Sequence, residues 1–272
     1  MAVIFKADKH EYLSADPSED IKWTSVTSFV SKFKQPFDKE GVAKKVSQSK
    51  KSKWYGMTVQ EILDAWEHQS SSAIERGNWY HNQREADLLQ IDSISRFGQE
   101  LPVITPIVED DVKMAPLQKL HDGVYPEHFV YLKSAGLCGQ SDLVTVLDGK
   151  INILDYKTNK EIKTESYVNW EGVSQKMEPP VAHLDDCNFY HYALQLSIYM
   201  YIMIKHNPKL KPGKLTLHHV LFFEEGFDHK GAPILRLDEN GEPIVKKIVP
   251  YDVPYLKEEV INLIKYKQDY VD

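Results

Sequence analysis

Two aspartates and one lysine stand close together on a predicted β-hairpin. Residues 147–150 read Leu-Asp-Gly-Lys, and the Asp-Gly pair favours a two-residue type I′ turn. With that turn the strand pairing continues until Asp142 faces Asp155, and the alternation of side chains puts Lys157 on the same face. Directly opposed carboxylates lie about 5 Å apart and repel each other, so they require a compensating cation. The spacing therefore predicts a divalent-metal site with an ammonium group beside it.

Such a site suits the hydrolysis of a phosphodiester. Carboxylate oxygens are the ligands that Mg²⁺ and Mn²⁺ prefer, and a bound metal would activate a water molecule and hold a phosphate oxygen. Lys157 would orient that water or stabilise developing negative charge. The alternative is a surface hairpin with a solvated Asp–Lys pair. Against it, the face of the two aspartates also carries the apolar side chains of Val144, Val146, Ile151 and Ile153, which predicts burial.

The composition restricts the class of protein. The chain has 272 residues, of which 42% are hydrophobic and 27% are charged, as in an ordinary globular protein. Its two cysteines, Cys138 and Cys187, supply neither a disulfide framework nor a four-cysteine cluster site. Residues 1–6 lack the apolar core of a signal peptide, and the most apolar run, 192–204, is shorter than the about 20 residues that a bilayer requires. We therefore expect a cytoplasmic protein without a membrane segment.

The charge distribution bears on nucleic-acid binding. A net charge of −7 argues against wrapping of duplex DNA by a basic surface, but it leaves room for a nucleic-acid enzyme with local basic groups. Residues 44–53 contain five lysines and precede Trp54 and Tyr55. Lysines beside aromatic rings suit a single strand, through phosphate attraction and base stacking. The alternative for this segment is a solvated helix end.

The secondary structure that must position these residues follows from hydrophobic periodicity. Helices are predicted over 26–33, 59–69, 72–90, 112–121 and 188–206, and from 254 onward. Strands are predicted over 3–6, 11–13, 126–133, 137–147, 150–158 and 214–224, with a further hairpin at 233–249. Residues 92–111 are predicted to form a loop, and residues 159–187 an excursion over the active face. This order predicts an α/β fold with a mixed central β-sheet flanked by helices.

Three motifs together resemble a known family. Gly139-x-x-Asp142 followed by Asp155-Tyr156-Lys157 resembles the signature of the PD-(D/E)xK nuclease superfamily, whose core is restriction-endonuclease-like. Upstream, residues 75–85, which read Glu-Arg-Gly with a histidine four residues after the glycine, are similar to the helical histidine motif of the RecB-type branch. Downstream, Gln195-x-x-x-Tyr199 is similar to the Gln…Tyr helix of that branch.

The likeness covers about residues 72–225 of a single nuclease domain, 1–272. An N-terminal extension, 1–71, and a C-terminal hairpin and helix, 226–272, lie outside it. Relatives with an iron–sulfur cluster carry four cysteines, so the chain is similar instead to the cluster-free exonucleases of mitochondria and phages.

The resemblance implies roles for individual residues. It implies that Mg²⁺ or Mn²⁺ is held by His81, Glu127, Asp142, Asp155 and the backbone carbonyl of Tyr156. It implies that Lys157 acts with the two aspartates in catalysis, and that DNA is contacted by Gln195 and Tyr199. Arg76 and Arg84 lie on the same predicted helix as His81, so we expect them to contact phosphates near the metal. From the residues alone, a histidine on a helix such as His81 is more often a packed or surface residue than a ligand, and Gln195 is equally a hydrogen-bonded glutamine of a core helix.

The function that the resemblance implies is a metal-dependent DNA exonuclease that acts on single-stranded DNA or on frayed duplex ends. It further implies a role in DNA repair or recombination, a phage or mobile-element origin with action in the host cytoplasm, and a recombination or replication protein as partner. Two rivals remain: an endonuclease of the same superfamily, and a non-catalytic DNA-binding module on a nuclease fold. Nothing in the sequence indicates recognition of the 2′-hydroxyl, which a ribonuclease would use.

Overall fold

The computed structural model describes residues 3–6, 11–96, 98–105, 107–109, 112–114 and 118–270. This part of the chain contains the helices α1 (Val26–Ser31), α2 (Lys39–Gln48), α3 (Val59–Leu89), α4 (Asn188–His206) and α5 (Lys257–Tyr270). The strands are β1 (Val3–Lys6), β2 (Glu11–Ser14), β3 (Thr24–Ser25), β4 (Ser93–Arg96), β5 (Gln99–Pro102), β6 (Ile107–Glu109), β7 (Val112–Met114), β8 (Gly123–Leu132), β9 (Leu137–Leu147), β10 (Lys150–Lys157), β11 (Lys211–Phe222), β12 (Glu224–Phe227), β13 (Pro233–Leu235) and β14 (Val245–Val253).

Six strands form the central sheet. Its order is β14-β11-β10-β9-β3, and β8 pairs along β9. Strands β10 and β11 run parallel to each other, as do β3 and β9, whereas the other paired strands of this sheet are antiparallel. The connection from β10 to β11 is a crossover that contains α4, as a parallel pair requires. The predicted α/β fold with a mixed central sheet and helices is therefore confirmed.

The hairpin of β9 and β10 has the predicted register over its paired length. Asp148 and Gly149 have φ angles of 52° and 70°, and a type I′ turn requires positive φ at both central positions. Leu147 faces Lys150, and the pairing ends where Leu143 faces Leu154. The apolar side chains that were expected on the aspartate face are buried. The predicted opposition of the two aspartates falls one position beyond the last pair.

One edge of β9 is shared by two strands with a gap between them. Cys138 pairs with β3 and Leu143 pairs with β10, while β8 occupies the opposite edge. Within the described chain, residues 139–142 therefore have no strand partner on this edge. Gly139 lies in the gap, and a Cβ at this position would lie 2.9 Å from the ring of Tyr199. The Gly-x-x-Asp motif thus marks the place where the sheet opens.

Helix α3 is a single helix of 31 residues, where two helices were predicted. It begins with a capping box, in which Glu61 N–H binds the Thr58 hydroxyl and the Glu61 carboxylate binds Thr58 N–H. Ser70 and Ser71, near the predicted break, lie in its interior, because serine lowers helix propensity only slightly. The expected boundary between extension and nuclease core, at 71/72, falls inside this helix.

Other predicted elements differ from those observed. The helix predicted over 112–121 is wrong, because residues 112–114 form β7, which pairs with β1, and residues 118–121 are not helical. Residues 115–117 lie outside the described residues, as does the turn predicted between the first two strands, 7–10. The loop predicted over 92–111 contains the hairpin β4–β5 and strand β6. Helix α2, Lys39–Gln48, includes the first residues of the lysine-rich stretch 44–53.

The largest core cluster joins both ends of the chain to the central sheet. It includes Val26 and Phe29 of α1, the buried face of α4, and Val260 and Leu263 of α5. The terminal segments outside the family resemblance therefore share the core of the sheet. No described helix has both the length and the apolar character needed to cross a bilayer.

Candidate metal centre

An open cleft of about 1000 Å³ lies beside the gap in β9. Helix α3 forms one wall, and the strands β8, β9 and β10 contribute the other. The lining includes His81, Glu85, Glu127, Gln140, Tyr156 and Lys157. Segments far apart in sequence therefore meet at the place where the sheet opens.

Three predicted metal ligands form one cluster. His81, Glu127 and Asp142 each offer a ligand atom, and these atoms lie within 4.8 Å of one another. The Nδ1 atom of His81 lies 3.3 Å from Oδ2 of Asp142. One imidazole and two carboxylates form a donor set that fits a divalent cation, and the two oxygen donors suit Mg²⁺ or Mn²⁺.

Glu127 reaches the cluster through an unusual backbone conformation. Strand β8 pairs regularly with β9 at Pro126–Leu143 and at His128–Ser141, so Glu127 occupies the position opposite Asp142. Its φ angle is +46°, in the left-handed region that residues other than glycine rarely adopt. Such strain concentrates at functional sites, where the surrounding structure enforces it. The left-handed residue is therefore a second indication, besides the cluster itself, that this position serves a function.

Asp155 and Lys157 form a buried ion pair beside the cluster. Lys157 Nζ lies 2.6 Å from Asp155 Oδ2, and the two side chains are 16% and 2% exposed. Burial and the neighbouring Asp142 raise the pKa of Asp155 to about 6, against the opposing effect of Lys157. Burial alone would lower the pKa of Lys157, but the two carboxylates outweigh it and raise that pKa. Asp155 therefore fixes a protonated ammonium group and is not one of the three clustered residues.

His81 contacts both strands of the hairpin. Besides its contact with Asp142, its Nε2 atom lies 3.1 Å from the carbonyl oxygen of Tyr156. Burial would lower the pKa of His81, but Asp142 outweighs it and raises the pKa to about 9. In the metal-free protein the ring is therefore an imidazolium that donates from both nitrogens. Ligation of a metal would require the loss of one of these protons.

Asp142 is held ionised by its surroundings. Burial would raise its pKa, but His81 and Lys157, together with the hydrogen bond from the Tyr156 N–H, outweigh burial and lower the pKa. Gly77, one helical turn before His81, allows the helix to pass close to the end of β10, since a Cβ there would lie 3.4 Å from Thr158 Oγ1. The glycine thus helps to bring His81 within reach of the strands.

Gln195 and Tyr199 share one face of α4, as predicted, but Tyr199 is only 2% exposed. Gln195 Nε2 donates to Tyr199 Oη over 3.4 Å, and the tyrosine ring packs against Gly139. This burial weighs against a direct contact between Tyr199 and DNA. In the structure, Tyr199 accepts the hydrogen bond of Gln195 and packs against Gly139.

The two arginines predicted to contact DNA make contacts within the protein. Arg76 Nη2 donates to the carbonyl oxygen of Thr158 over 3.2 Å, just after Lys157. Arg84 pairs with Asp87 over 2.6 Å and lies over the ring of Tyr80. Neither arginine is among the residues that line the cleft.

Gln140 and Tyr192 were not among the predicted site residues. The Nε2 atom of Gln140 is buried and has no hydrogen-bond partner within the described residues, and Gln140 lines the cleft. Its position two residues before Asp142, on the same strand face, could have identified it. The ring of Tyr192 lies 4.7 Å from Lys157 Nζ, and its hydroxyl donates to Asn159. No sequence pattern indicates that contact.

Comparisons of this chain with protein-family models and with curated protein sequences find no match.

Proposed function

We propose that this protein is a metal-dependent deoxyribonuclease of the PD-(D/E)xK type, which hydrolyses phosphodiester bonds at DNA ends with Mg²⁺ or Mn²⁺. One observation carries the proposal. Three side chains that could ligate a metal, His81, Glu127 and Asp142, converge within 4.8 Å beside a buried Lys157–Asp155 pair, and His81, Glu127 and Lys157 line one open cleft.

The residues at this site would have different roles in the reaction. His81, Glu127 and Asp142 would hold the metal, which supplies a water of lowered pKa and a positive charge for a phosphate oxygen. Lys157 remains protonated because its pKa is raised, so it donates hydrogen bonds to an anionic oxygen and does not act as a base. Gln140 offers a second, neutral donor. The ion pair with Asp155 fixes the ammonium group before substrate arrives, which avoids the cost of ordering it during the reaction.

The mode of attack is proposed to be exonucleolytic. A net charge of −7 disfavours an extended basic clamp around duplex DNA. The open cleft with its local lysine suits a single strand or a frayed end. An endonuclease with the same active residues would differ in the channel around them, so substrate topology is the appropriate test.

The test compares linear and circular substrates. End-labelled linear DNA, single- and double-stranded, and covalently closed circles are incubated with Mg²⁺, Mn²⁺ or a chelator. We expect metal-dependent, progressive shortening of linear strands and resistance of circles. Asp142→Asn should abolish cleavage, whereas Asp148→Asn should retain it, because Asn-Gly also forms the type I′ turn.

Two results would contradict the proposal. Rapid nicking of circular DNA would replace the exonuclease by an endonuclease. Binding of DNA without cleavage, in every metal tried, would make the protein a binding module.

The metal assignment has its own experiment. Calorimetric titration with Mn²⁺ should show weaker binding for His81→Ala, together with a changed preference between Mg²⁺ and Mn²⁺, because the imidazole is the softer ligand. Gln195→Ala should bind the metal as the unaltered protein does. Unchanged Mn²⁺ affinity in His81→Ala would remove the histidine from the ligand set.

A further inference from the structure

A second cavity lies on the same helix as the candidate metal centre. It has a volume of about 800 Å³ and lies between α3 and the segment that carries Phe37, Lys39 and Val42. On α3 its lining includes Gln60, Leu63, Glu67 and Ser70. Ser70 also lines the metal cleft, so the two cavities meet at this residue.

The two linings form one stripe along α3. From the second cavity the lining residues continue through Ile74, Gly77, His81 and Glu85 in the metal cleft. These positions follow one another at spacings of three and four, which places them on one face of the helix. We propose that the two cavities are one groove that binds single-stranded DNA, with the bases stacking on Phe37 and Trp66 and the strand end at the metal cluster. This rests on the function proposed above.

The aromatic end of the groove suits unpaired bases. Phe37 is 64% exposed, and its ring lies 6.4 Å from that of Trp66. Trp54 also packs edge-to-face against Trp66, at 6.3 Å. Exposed planar side chains in a groove are the usual stacking platform for bases, because every base has a flat face. Ile74, between the aromatic end and His81, is also exposed.

The segment that forms one wall of the groove is basic as a whole, which favours a polyanion. Lys39 lines the second cavity, and residues 38–56 around it contain six lysines against two acidic residues, Asp38 and Glu40, in a chain of net charge −7. All six lysines are exposed. The opposite wall, on α3, carries Asp64 and Glu67. Phosphates are therefore expected on the lysine side, with the bases turned toward the aromatic rings.

The helix fixes the length of the strand that can reach both ends. From Trp66 to His81, the rise of about 1.5 Å per residue gives about 22 Å along α3. At the duplex spacing of about 3.4 Å per nucleotide this is about six nucleotides, and fewer in an extended strand. An oligonucleotide of about two nucleotides can occupy the metal cleft without reaching the rings, even when it is extended, whereas one of about 15 can fill the groove.

The experiment measures binding of fluorescent oligothymidylates of these two lengths, in chelator, by anisotropy. Phe37→Ala and Trp66→Ala should each weaken binding of the long oligomer about tenfold and leave binding of the short one unchanged. A long oligomer without bases should bind the unaltered protein as weakly as the intact oligomer binds the variants. Phe227→Ala is the matched control, because Phe227 is 61% exposed and lines neither cavity. Phe37→Tyr, which keeps an aromatic ring, should restore binding and exclude a folding defect as the cause.

The outcomes separate this inference from the proposed function. Equal affinity for the intact and base-free oligomers, or unchanged affinity in both alanine variants, would overturn the groove while leaving nuclease activity intact. Ring-dependent binding without cleavage in any metal would support the groove and contradict the nuclease. Absence of oligomer binding would overturn the inference and leave the groove to a protein partner.

Discussion

The carboxylate of Asp142 accepts a hydrogen bond from the backbone N–H of Tyr156 over 2.7 Å. This bond lies just beyond the last strand pair, Leu143 with Leu154, so a side chain continues the hydrogen bonding where the strands separate. The same oxygen faces Nδ1 of His81. Asp142 therefore makes two kinds of contact, one that extends the sheet and one with His81, and substitutions can separate them.

Asp142→Asn should lose metal binding and keep the sheet contact, since its amide oxygen can still accept from Tyr156 N–H. Asp142→Ala should lose both. We expect the alanine variant to be less stable than the asparagine variant by about 1 kcal/mol, the net contribution of one hydrogen bond. Urea unfolding of both variants in chelator measures the difference. Equal stabilities would show that the contact with Tyr156 does not stabilise the hairpin end.

At position 127 we expect the glycine variant to be more stable than the alanine variant, which reverses the usual order of stability. At an ordinary strand position glycine is the less stable of the two by about 0.5–1 kcal/mol. At φ +46° alanine retains the left-handed strain and glycine relieves it, so Glu127→Gly should be more stable than Glu127→Ala by about 1 kcal/mol. Both should lose metal-dependent cleavage. Lys247, exposed on β14, is the control position, where the glycine variant should be less stable than the alanine variant. If the glycine variant is also the less stable at position 127, the backbone there is not strained.

Lys157→Met should lower the rate of the chemical step and make stability depend on pH. Removal of the ammonium leaves Asp155 buried without its countercharge, which should cost about 3 kcal/mol at pH 8. The folded-state pKa of Asp155 is already about 6, above its ordinary value of 3.8, and should rise further. A carboxyl group with a raised folded pKa binds protons more tightly when folded, so stability is regained as the pH falls through that pKa.

Chemical unfolding at about pH 8 and about pH 5, in chelator, compares the two protonation states of Asp155. Lys160→Met, at an exposed neighbouring position, should show no such dependence. An equal loss at both pH values in Lys157→Met would mean that Asp155 is not the uncompensated charge. In single-turnover assays, Lys157→Met should cleave orders of magnitude more slowly at unchanged DNA affinity; lost affinity with normal cleavage would make Lys157 a phosphate anchor.

His128 should make the protein sensitive to mild acid. Burial lowers its pKa from 6.5 to about 4, and its Nε2 atom has no hydrogen-bond partner within the described residues. The neutral ring is favoured in the folded state, so this stability is fully present above about pH 6.5 and is lost as the pH falls toward 4. The loss is limited to about 3 kcal/mol.

The unfolding free energy of the unaltered protein should therefore fall more steeply on acidification across this range than that of His128→Phe. His229→Gln, at an exposed histidine, serves as the control and should follow the unaltered protein. A slope for His128→Phe as steep as that of the unaltered protein would exclude His128 as the acid-sensitive group.

Local sequence determines some of these elements completely. The Asp-Gly turn at 148–149 fixes the register of β9 and β10 without help from other parts of the chain, and the apolar helix predicted at 188–206 agrees with α4, Asn188–His206. Strand β7 is different, because three residues become a strand only through their pairing with β1, more than a hundred residues earlier. Helix α3 continues through Ser70 and Ser71 because serine lowers helix propensity only slightly, so the pair does not mark a helix end.

Some features of the candidate site can likewise be predicted from local sequence, whereas others cannot. Strand alternation alone places Asp142 and Asp155 near each other, but it does not reveal where the pairing ends, so the direct opposition of the two carboxylates was expected. In the structure each carboxylate has its own partner, His81 or Lys157. The left-handed conformation of Glu127 has no sequence signature, since glutamate is not a residue that favours it. The contact of His81 depends on the close passage of α3 over β10, which periodicity does not predict.

The two strands that flank the gap along the edge of β9 lie far apart in the sequence. Strand β10 forms one wall and β3, only two residues long, forms the other, held by a hydrogen bond from Thr24 N–H to the carbonyl oxygen of Gly136. An engineer who trimmed the chain to the stretch that resembles a nuclease, 72–225, would keep every candidate ligand and discard this wall. Such a fragment would leave the main-chain groups of residues 139–142 beside an unsupported edge. Transplanting the site into another scaffold would thus require strand β3, although neither of its two residues is a candidate ligand.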